Sequence, residues 1–162
     1  DLLPHYRIFH QTGATNIEEF GLAAQSLLEG SPLQDSYYLK GNIDANTVAA
    51  LMSAASVIVT RAGSTTLFEI AYHGKPSIVI PIPEDVSRDQ RTNAYAYARK
   101  GGATVLEESN VTPHLLAQEI QSIITDASKH SAMSAAAKSF FIEGAAKKVA
   151  DILISIGVEH GS

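Results

Sequence analysis

The residues with the most chemistry in their spacing are Thr60-Arg61-Ala62-Gly63-Ser64-Thr65-Thr66-Leu67-Phe68-Glu69. The apolar run Val57-Ile58-Val59 ends there, a glycine allows a tight turn, and three small hydroxyl residues open a helical pattern. The first N–H groups of a helix have no intrahelical partner and lie at the positive end of its dipole. Such a start holds an anion, worth about 0.3–1 kcal/mol when exposed and up to ~2 kcal/mol when partly buried. Ser64, Thr65 and Thr66 add hydroxyl donors without bulk. Glu69 follows Thr66 by three positions, on the same helical face. Its carboxylate would repel a phosphate set directly on it, but one turn away it can accept hydrogen bonds from a vicinal diol such as a ribose. Phosphate at the helix tip with ribose one turn in is a nucleotide pose. The plainer alternative is that Ser64 caps the helix and Glu69 is a solvated carboxylate.

A second junction is Pro81-Ile82-Pro83-Glu84-Asp85-Val86-Ser87-Arg88-Asp89-Gln90-Arg91-Thr92-Asn93. Prolines stiffen the exit from a strand, and a polar loop, Glu84 to Arg88, feeds a helix with Asp89 and Gln90 near its first turn. A carboxylate beside a carboxamide can hold adjacent sugar hydroxyls, the Asp accepting and the Gln both accepting and donating. The alternative is that Asp89 merely caps the helix. Two such junctions facing one crevice favour a nucleotide-sugar site over two coincidences.

Apolar periodicity supplies the elements that must position these residues. Strands are expected at 6–11, 36–40, 57–60, 77–80 and 103–107, with the run at 57–60 covered on both faces. Helices are expected at 17–29, capped by Asn16, then at 47–55, from Gly63 to Tyr72, and at 89–100. Gly30-Ser31-Pro32, His73-Gly74-Lys75-Pro76 and Gly101-Gly102 stop three of them. Thr112-Pro113 starts another helix, and helices at 129–141 and 144–156 finish the chain. Alternating strands and helices imply right-handed crossovers and a parallel sheet. The expected fold is α/β: a Rossmann-like parallel sheet of about five strands with flanking helices and a helical C-terminal tail. Ligands of such sheets bind beyond the carboxyl ends of the strands, where both junctions lie.

Taken in order, Arg61-Ala62-Gly63-Ser64-Thr65-Thr66-x-x-Glu69, Gly74-x-Pro76, Ile80-Pro81 and Gln90-x-x-Asn93-Ala94 resemble the carboxyl-terminal domain of MurG-type glycosyltransferases. His10-Gln11-Thr12-Gly13 resembles the same family's His-Gln-x-Gly strand end. These are enzymes of family 28 with the GT-B fold. They move N-acetylglucosamine from its uridine diphosphate donor onto undecaprenyl-linked muramyl peptide in peptidoglycan precursor synthesis. The resemblance spans about residues 8 to 110. It implies that the turn of Gly63, Ser64, Thr65 and Thr66 faces the donor diphosphate and that Glu69 holds the ribose diol. It further implies that Asp89, Gln90 and Asn93 lie by the donor sugar, with the uracil against the loop around Asn42-Ile43-Asp44, Ile43 making backbone contact. Arg61 is implied to be a structural residue at a strand end.

Two departures bear on that reading. The family usually has Gln or His where this chain has Asp89, which also suits glucose- or galactose-type recognition, and the loop before Asp89 is one residue longer than usual. The family's glycine-rich phosphate loop and its amino-terminal domain, which binds the lipid acceptor and supplies the base, have no counterpart in these residues. The chain therefore reads as most of a donor-binding half of an inverting transferase, unable to transfer by itself. The resemblance places the full-length enzyme in the cytoplasm, at the inner face of the membrane. Alternatives are a separate nucleotide-sugar-binding subunit that needs a membrane-bound partner, and a related transferase or hydrolase using another uridine diphosphate sugar.

The remaining residues exclude more than they add. Without cysteine there are no disulfides, thiolate metal sites or cysteine nucleophiles. A net charge of −5 opposes non-specific nucleic-acid binding. With 45% apolar and 18% charged residues, a chain of 162 residues suits one domain, which buries roughly 70% of the surface its unfolded form exposes. No apolar run approaches the roughly 18 residues of a membrane span. The six histidines lack a ligand spacing with a third acid, so no metal and no cofactor is expected. Ser64 lacks the Gly-x-Ser-x-Gly elbow of serine hydrolases. His10 and the Tyr95 and Tyr97 rings read as packing, and Lys147-Lys148 is too small a basic patch for a lipid surface.

Overall fold

A computed structural model of the chain describes residues 2–83, 86 and 88–160. Five strands and seven helices alternate in the order expected: β1 (Ile8–Gln11), α1 (Ile17–Leu28), β2 (Tyr37–Lys40), α2 (Ala45–Ala54), β3 (Ile58–Thr60), α3 (Ser64–His73), β4 (Ser77–Val79), α4 (Arg88–Ala98), β5 (Ala103–Val105), α5 (Pro113–Thr125), α6 (Ala127–Phe140) and α7 (Ala145–His160). After the stop at Gly30-Ser31-Pro32, a short 3-10 turn at Pro32–Ser36 takes in Ser36, expected in the strand, and leads into β2. Residues 84, 85 and 87 of the expected polar loop, and with them its extra residue, lie outside the described residues.

Local chemistry explains most boundaries. Gly74 takes the left-handed conformation (φ 61°, ψ 45°) that a side chain disfavours, and the N–H groups of Gly74 and Lys75 close the end of α3 on Ala71 O and Ile70 O. Pro113 opens α5 behind Thr112, whose hydroxyl accepts from Leu115 N–H. α2 begins two residues earlier than the apolar pattern suggests. Asp44 caps it by accepting from Asn46 N–H and Thr47 N–H, and the Thr47 hydroxyl donates to the same carboxylate. Those bonds, the Thr47 hydroxyl first, hold the Asp44 carboxyl below the usual range. Asn16 occupies the cap position of α1 without capping it; its side chain donates to Thr12 O instead.

All strand pairs are parallel, in two separate ladders: β1 with β2, and β3-β4-β5 with β4 central. The core lies in the second ladder. β4 is buried at all three residues, Val79 packing with Leu67, Ile70 and Ala71 of α3 and Ala94 and Tyr97 of α4. On the other face Ile78 meets Ile123 of α5 and Met133 of α6. The first ladder has no such core, and none of the described residues before Ala62 is buried. Val59, expected to be covered on both faces, is 42% exposed. Its strand is paired with β4 on one edge only, so neighbours that would shield it are missing on the other.

Gly102 marks the tightest approach. A Cβ there would lie 2.9 Å from Ala137 Cα and 3.1 Å from Tyr97 Cζ, so helix α6 and the ring could not close over the turn before β5. Burial also pushes the Tyr97 hydroxyl up to about 12. Gly102→Ala is expected to destabilise the protein by about 1–3 kcal/mol through overpacking. Gly157→Ala, on α7 where a Cβ meets nothing within 4 Å, serves as the control and should not destabilise. Urea unfolding of both variants checks this; equal midpoints would mean that α6 yields freely.

Candidate functional site

The carboxyl ends of β3 and β4 are held together around one residue, Ala62. Ala62 is fully buried, so its backbone groups must find protein partners. Gln90 Oε1 accepts from Ala62 N–H at 3.3 Å and from Ile82 N–H at 3.3 Å. Asn93 Nδ2 donates to Ala62 O at 3.5 Å. Gln90 and Asn93 are three residues apart, so both carboxamides leave one face of α4. Together they hold the exits of β3 and β4 to one helix.

Beyond Ala62 the chain turns into α3 through Gly63, which is the N-cap residue and supplies no side-chain cap. Ser64, read as a possible cap, is instead the first residue of the helix. Gly63 has φ −63° and ψ 131°, a conformation open to any residue, so a tight turn is not the reason for the glycine. A Cβ would meet nothing nearer than Thr66 Oγ1 at 4.0 Å. What the missing side chain leaves is clear space before the uncapped N–H groups of Ser64, Thr65 and Thr66. Ser64 and Thr65 are exposed and Thr66 half-buried, so hydroxyls and amides present one donor-rich tip.

Glu69 is exposed, one turn into α3, and makes no hydrogen bond or ion pair among the described residues. Asp89, in the first turn of α4, is likewise exposed and unpartnered among the described residues. Ile43 is half-buried in the loop from β2 to α2, immediately before the capping Asp44. Of the residues singled out from the sequence, hydrogen bonds bring Gln90 and Asn93 to the Ala62–Gly63 turn. No such bond ties Glu69, Asp89 or Ile43 to it.

Arg61 is turned to other work. Its Nη2 pairs with Glu108 Oε1 and its Nη1 donates to Ile80 O at 3.4 Å, which ties the end of β3 to the segments after β4 and β5. The next pair, Arg91 with Glu107 at 3.1 Å, also takes the Tyr95 hydroxyl at 2.6 Å. That hydrogen bond, more than burial, raises the Tyr95 pKa above its ordinary value. Arg91, Glu107 and Glu108, with Pro81, Pro83 and Ser109, line a shallow cavity of about 190 Å³. Sequence reasoning passes over this network, because neither the Glu107-Glu108 pair nor Arg91 sits in a recognisable spacing. At the other edge of the chain, His10 Nδ1 lies 2.7 Å from the Tyr37 hydroxyl with its ring edge against Phe20, and burial lowers its pKa. Among the described residues no group of three or more His, Asp or Glu is placed to hold a metal ion.

Gln90→Ala should leave the buried Ala62 N–H without an acceptor and cost about 1–3 kcal/mol. Gln90→Glu keeps an oxygen there and should recover most of the loss. Chemical denaturation of the two variants decides it: equal destabilisation would mean that the carboxamide oxygen does not hold the two loops.

Residues 3–149 match the family model described as the glycosyltransferase family 28 C-terminal domain. A UDP-N-acetylglucosamine--N-acetylmuramyl-(pentapeptide) pyrophosphoryl-undecaprenol N-acetylglucosamine transferase of Acidiphilium cryptum is 42% identical over 113 residues, 70% of this chain and 30% of that protein. Its namesake in Syntrophotalea carbinolica is 37% identical over 147 residues, 88% of this chain and 38% of that protein. The chain thus spans about a third of the length of these curated relatives. Among solved structures, MurG of Acinetobacter baumannii superposes with a TM-score of 0.76 at 25% identity, over 92% of this chain and 43% of that one. The glycotransferase of kitacinnamycin shares the fold, with a TM-score of 0.62 at 19% identity. With a family model covering most of its length and the fold of a family member's solved structure, this chain belongs to the glycosyltransferase family 28 C-terminal domain family.

Proposed function

We propose that the chain is the donor-binding part of an inverting glycosyltransferase and that its crevice takes UDP-N-acetylglucosamine. The observation that carries this reading is the tip of α3: a helix start whose cap residue is glycine, so that amides and hydroxyls of the first turn stay open to an anion. The relatives named for N-acetylglucosamine transfer support the choice of donor and of a lipid-linked muramyl peptide as acceptor.

In this reading the Gly63, Ser64, Thr65 and Thr66 turn faces the diphosphate, and Glu69 accepts hydrogen bonds from both ribose hydroxyls. The uracil lies against the backbone at Ile43. Asp89 accepts from a sugar hydroxyl. Gln90, whose Oε1 already serves two backbone donors, keeps only its Nε2 to offer the sugar, with Asn93 beside it. In the reaction the acceptor hydroxyl attacks the anomeric carbon as the bond to the diphosphate oxygen breaks. The acceptor proton goes to a base outside these residues, and negative charge gathers on the leaving diphosphate. Preorganised N–H groups at the helix tip stabilise that charge most when it is fully developed. The acceptor domain, or a partner subunit carrying it, lies in the rest of the enzyme, which works at the cytoplasmic face of the membrane. Among the described residues no helix is long and apolar enough to cross a membrane. The chain by itself is expected to bind donor and not to transfer.

Titration calorimetry with uridine diphosphate, UDP-N-acetylglucosamine and UDP-glucose tests the reading. Micromolar to sub-millimolar binding that discriminates between the sugars is expected. Glu69→Ala should weaken nucleotide binding by roughly 10- to 150-fold, the ~1.5–3 kcal/mol typical of hydrogen bonds to a charged group. The fold should survive, since Glu69 is exposed and unpartnered among the described residues. An unchanged affinity would remove the ribose assignment, and release of nucleotide without any acceptor would mark a hydrolase instead.

A further inference from the structure

We infer, on the basis of the donor site proposed above, that Glu107 is a positioning residue for the donor sugar. Through Arg91 and Tyr95 it sets the direction of the first turn of α4, and with it Asp89 and the Nε2 group of Gln90. The need for such a residue lies in how α4 is packed. Its core residues, Ala94 and Tyr97, come in the second half of the helix. Asp89, Arg91 and Thr92 are exposed, and Gln90 and Asn93 only half-buried. A helix of 11 residues is too short to be stable by itself. The direction of its first turn is therefore left to side-chain hydrogen bonds.

Two sets of such bonds grip α4 from different sides. Gln90 and Asn93 reach Ala62 and Ile82 at 3.3 to 3.5 Å. Arg91 Nε donates to Glu107 Oε1 at 3.1 Å, and the Tyr95 hydroxyl donates to the same oxygen at 2.6 Å. Successive helical residues are about 100° apart, which sets the two sides roughly 150° apart around the axis. One anchor leaves a helix free to roll about it, and a second on another side stops the roll. The Glu107 anchor is the firmer of the two. Its bonds are shorter and end on a carboxylate, and charge-assisted bonds are about twice as strong as neutral ones. The Arg91 guanidinium also lies 5.9 Å from the centre of the Tyr95 ring, so the two donors brace one another.

Glu107 can serve as an anchor because its own backbone is fixed. Leu106 N–H donates to Val79 O, which carries the β4-β5 ladder up to the residue before it. Asn110 N–H donates to Glu107 O and closes the 3-10 turn Glu108–Asn110 that follows. The carboxylate thus refers α4 to buried β4. Stability is not what this exposed pair offers, since such pairs add little to folding. What it offers is direction, and a ligand contact tolerates a displacement of only about 0.5 Å. Asp89 and Gln90 Nε2 would feel a roll of α4. The first-turn amides of α3, a helix seated by buried Leu67 and Ile70, would feel it far less.

Titration calorimetry of the chain and its Glu107→Ala, Glu107→Gln and Tyr95→Phe variants tests this, with uridine diphosphate, UDP-N-acetylglucosamine and UDP-glucose as ligands. In Glu107→Ala the preference between the two sugars should fall about fivefold or more, while affinity for uridine diphosphate stays within about twofold. Glu107→Gln keeps an acceptor oxygen without the charge and should retain most of the preference. Equal loss in both variants would overturn the role, because charge and not direction would then be what the sugar reads. Parallel weakening of all three ligands would overturn it too, as the mark of a merely structural residue. Should Glu107→Ala fail to fold, Tyr95→Phe decides by removing one of the two bonds: a smaller preference supports the role and an unchanged one overturns it. NMR titration of the Tyr95 ring reads the link itself. Its hydroxyl should ionise at lower pH in Glu107→Ala than in the wild type, since the carboxylate's hydrogen bond and charge are what raise it. Equal titration would overturn the link. A wild-type chain that binds both sugars alike, or neither, would overturn the donor reading and this role together. A wild-type preference that survives in Glu107→Ala would overturn this role alone.

Discussion

The crevice depends on the Ala62 peptide being unable to move. A fully buried backbone unit has to be hydrogen-bonded, and here both of its groups are claimed from one helix, the N–H by Gln90 and the C=O by Asn93. Because the same Gln90 oxygen also accepts from Ile82 N–H, the loops after β3 and β4 share an anchor. The direction in which Gly63 delivers the chain into α3, and so the aim of its first-turn amides, is set by that anchor. Pre-aimed donors matter for an anion, since a helix tip that reoriented on binding would lose much of the few kcal/mol it can supply.

Under the proposed function, an acidic chain has to hold a diphosphate in spite of its own charges. Glu107 and Glu108 close the same sheet edge. Glu108 is paired with Arg61, and Glu107 with Arg91 while it also accepts from the Tyr95 hydroxyl. These are exposed pairs, worth little as stability, but they withdraw both carboxylates from the anion's neighbourhood and equally withdraw Arg61 as a phosphate ligand. The attraction left over comes from backbone amides and hydroxyls. In the proposed function that division suits a site that releases a diphosphate after the reaction: neutral donors hold it without the deeper well of a buried cation pair.

Where local rules decide, the sequence was a sufficient guide. Gly74 followed by Lys75-Pro76 stops α3 for a steric reason, Thr112-Pro113 starts α5 for a hydrogen-bonding one, and the alternation of five short strands with helices is read from period alone. Glu69 and Asp89, read as open carboxylates, are exposed and unpartnered among the described residues. What was not legible depends on distant pairing. The run Val57–Val59 has the composition of a strand buried on both faces, yet Val59 is 42% exposed because the edge on which it should have a neighbour is unpaired. Gln90 reads as a ligand for hydroxyls, and only the tertiary fold shows its oxygen spent on Ala62 and Ile82. Gly63 reads as a turn glycine, though its backbone angles are ordinary. Asp44 is a local signal that was available: an Asp three residues before Thr47 is a helix cap on spacing alone.

The uneven packing has a consequence for ligand binding. The anion tip, Glu69 and the Gln90 anchor stand on the half of the molecule with a continuous core, whereas Ile43 belongs to the half in which no residue is buried. A nucleotide that touches both must order the second against the first. If the half that holds Ile43 is in its binding-competent arrangement only a fraction of the time, the apparent dissociation constant rises by the inverse of that fraction. In the proposed pose the diphosphate and ribose contacts escape this penalty and the base contact bears it. In that pose discrimination among nucleobases depends most on how firmly the β1-β2 half is ordered, while anion binding at α3, aimed by Ala62 and Gln90, depends on it least.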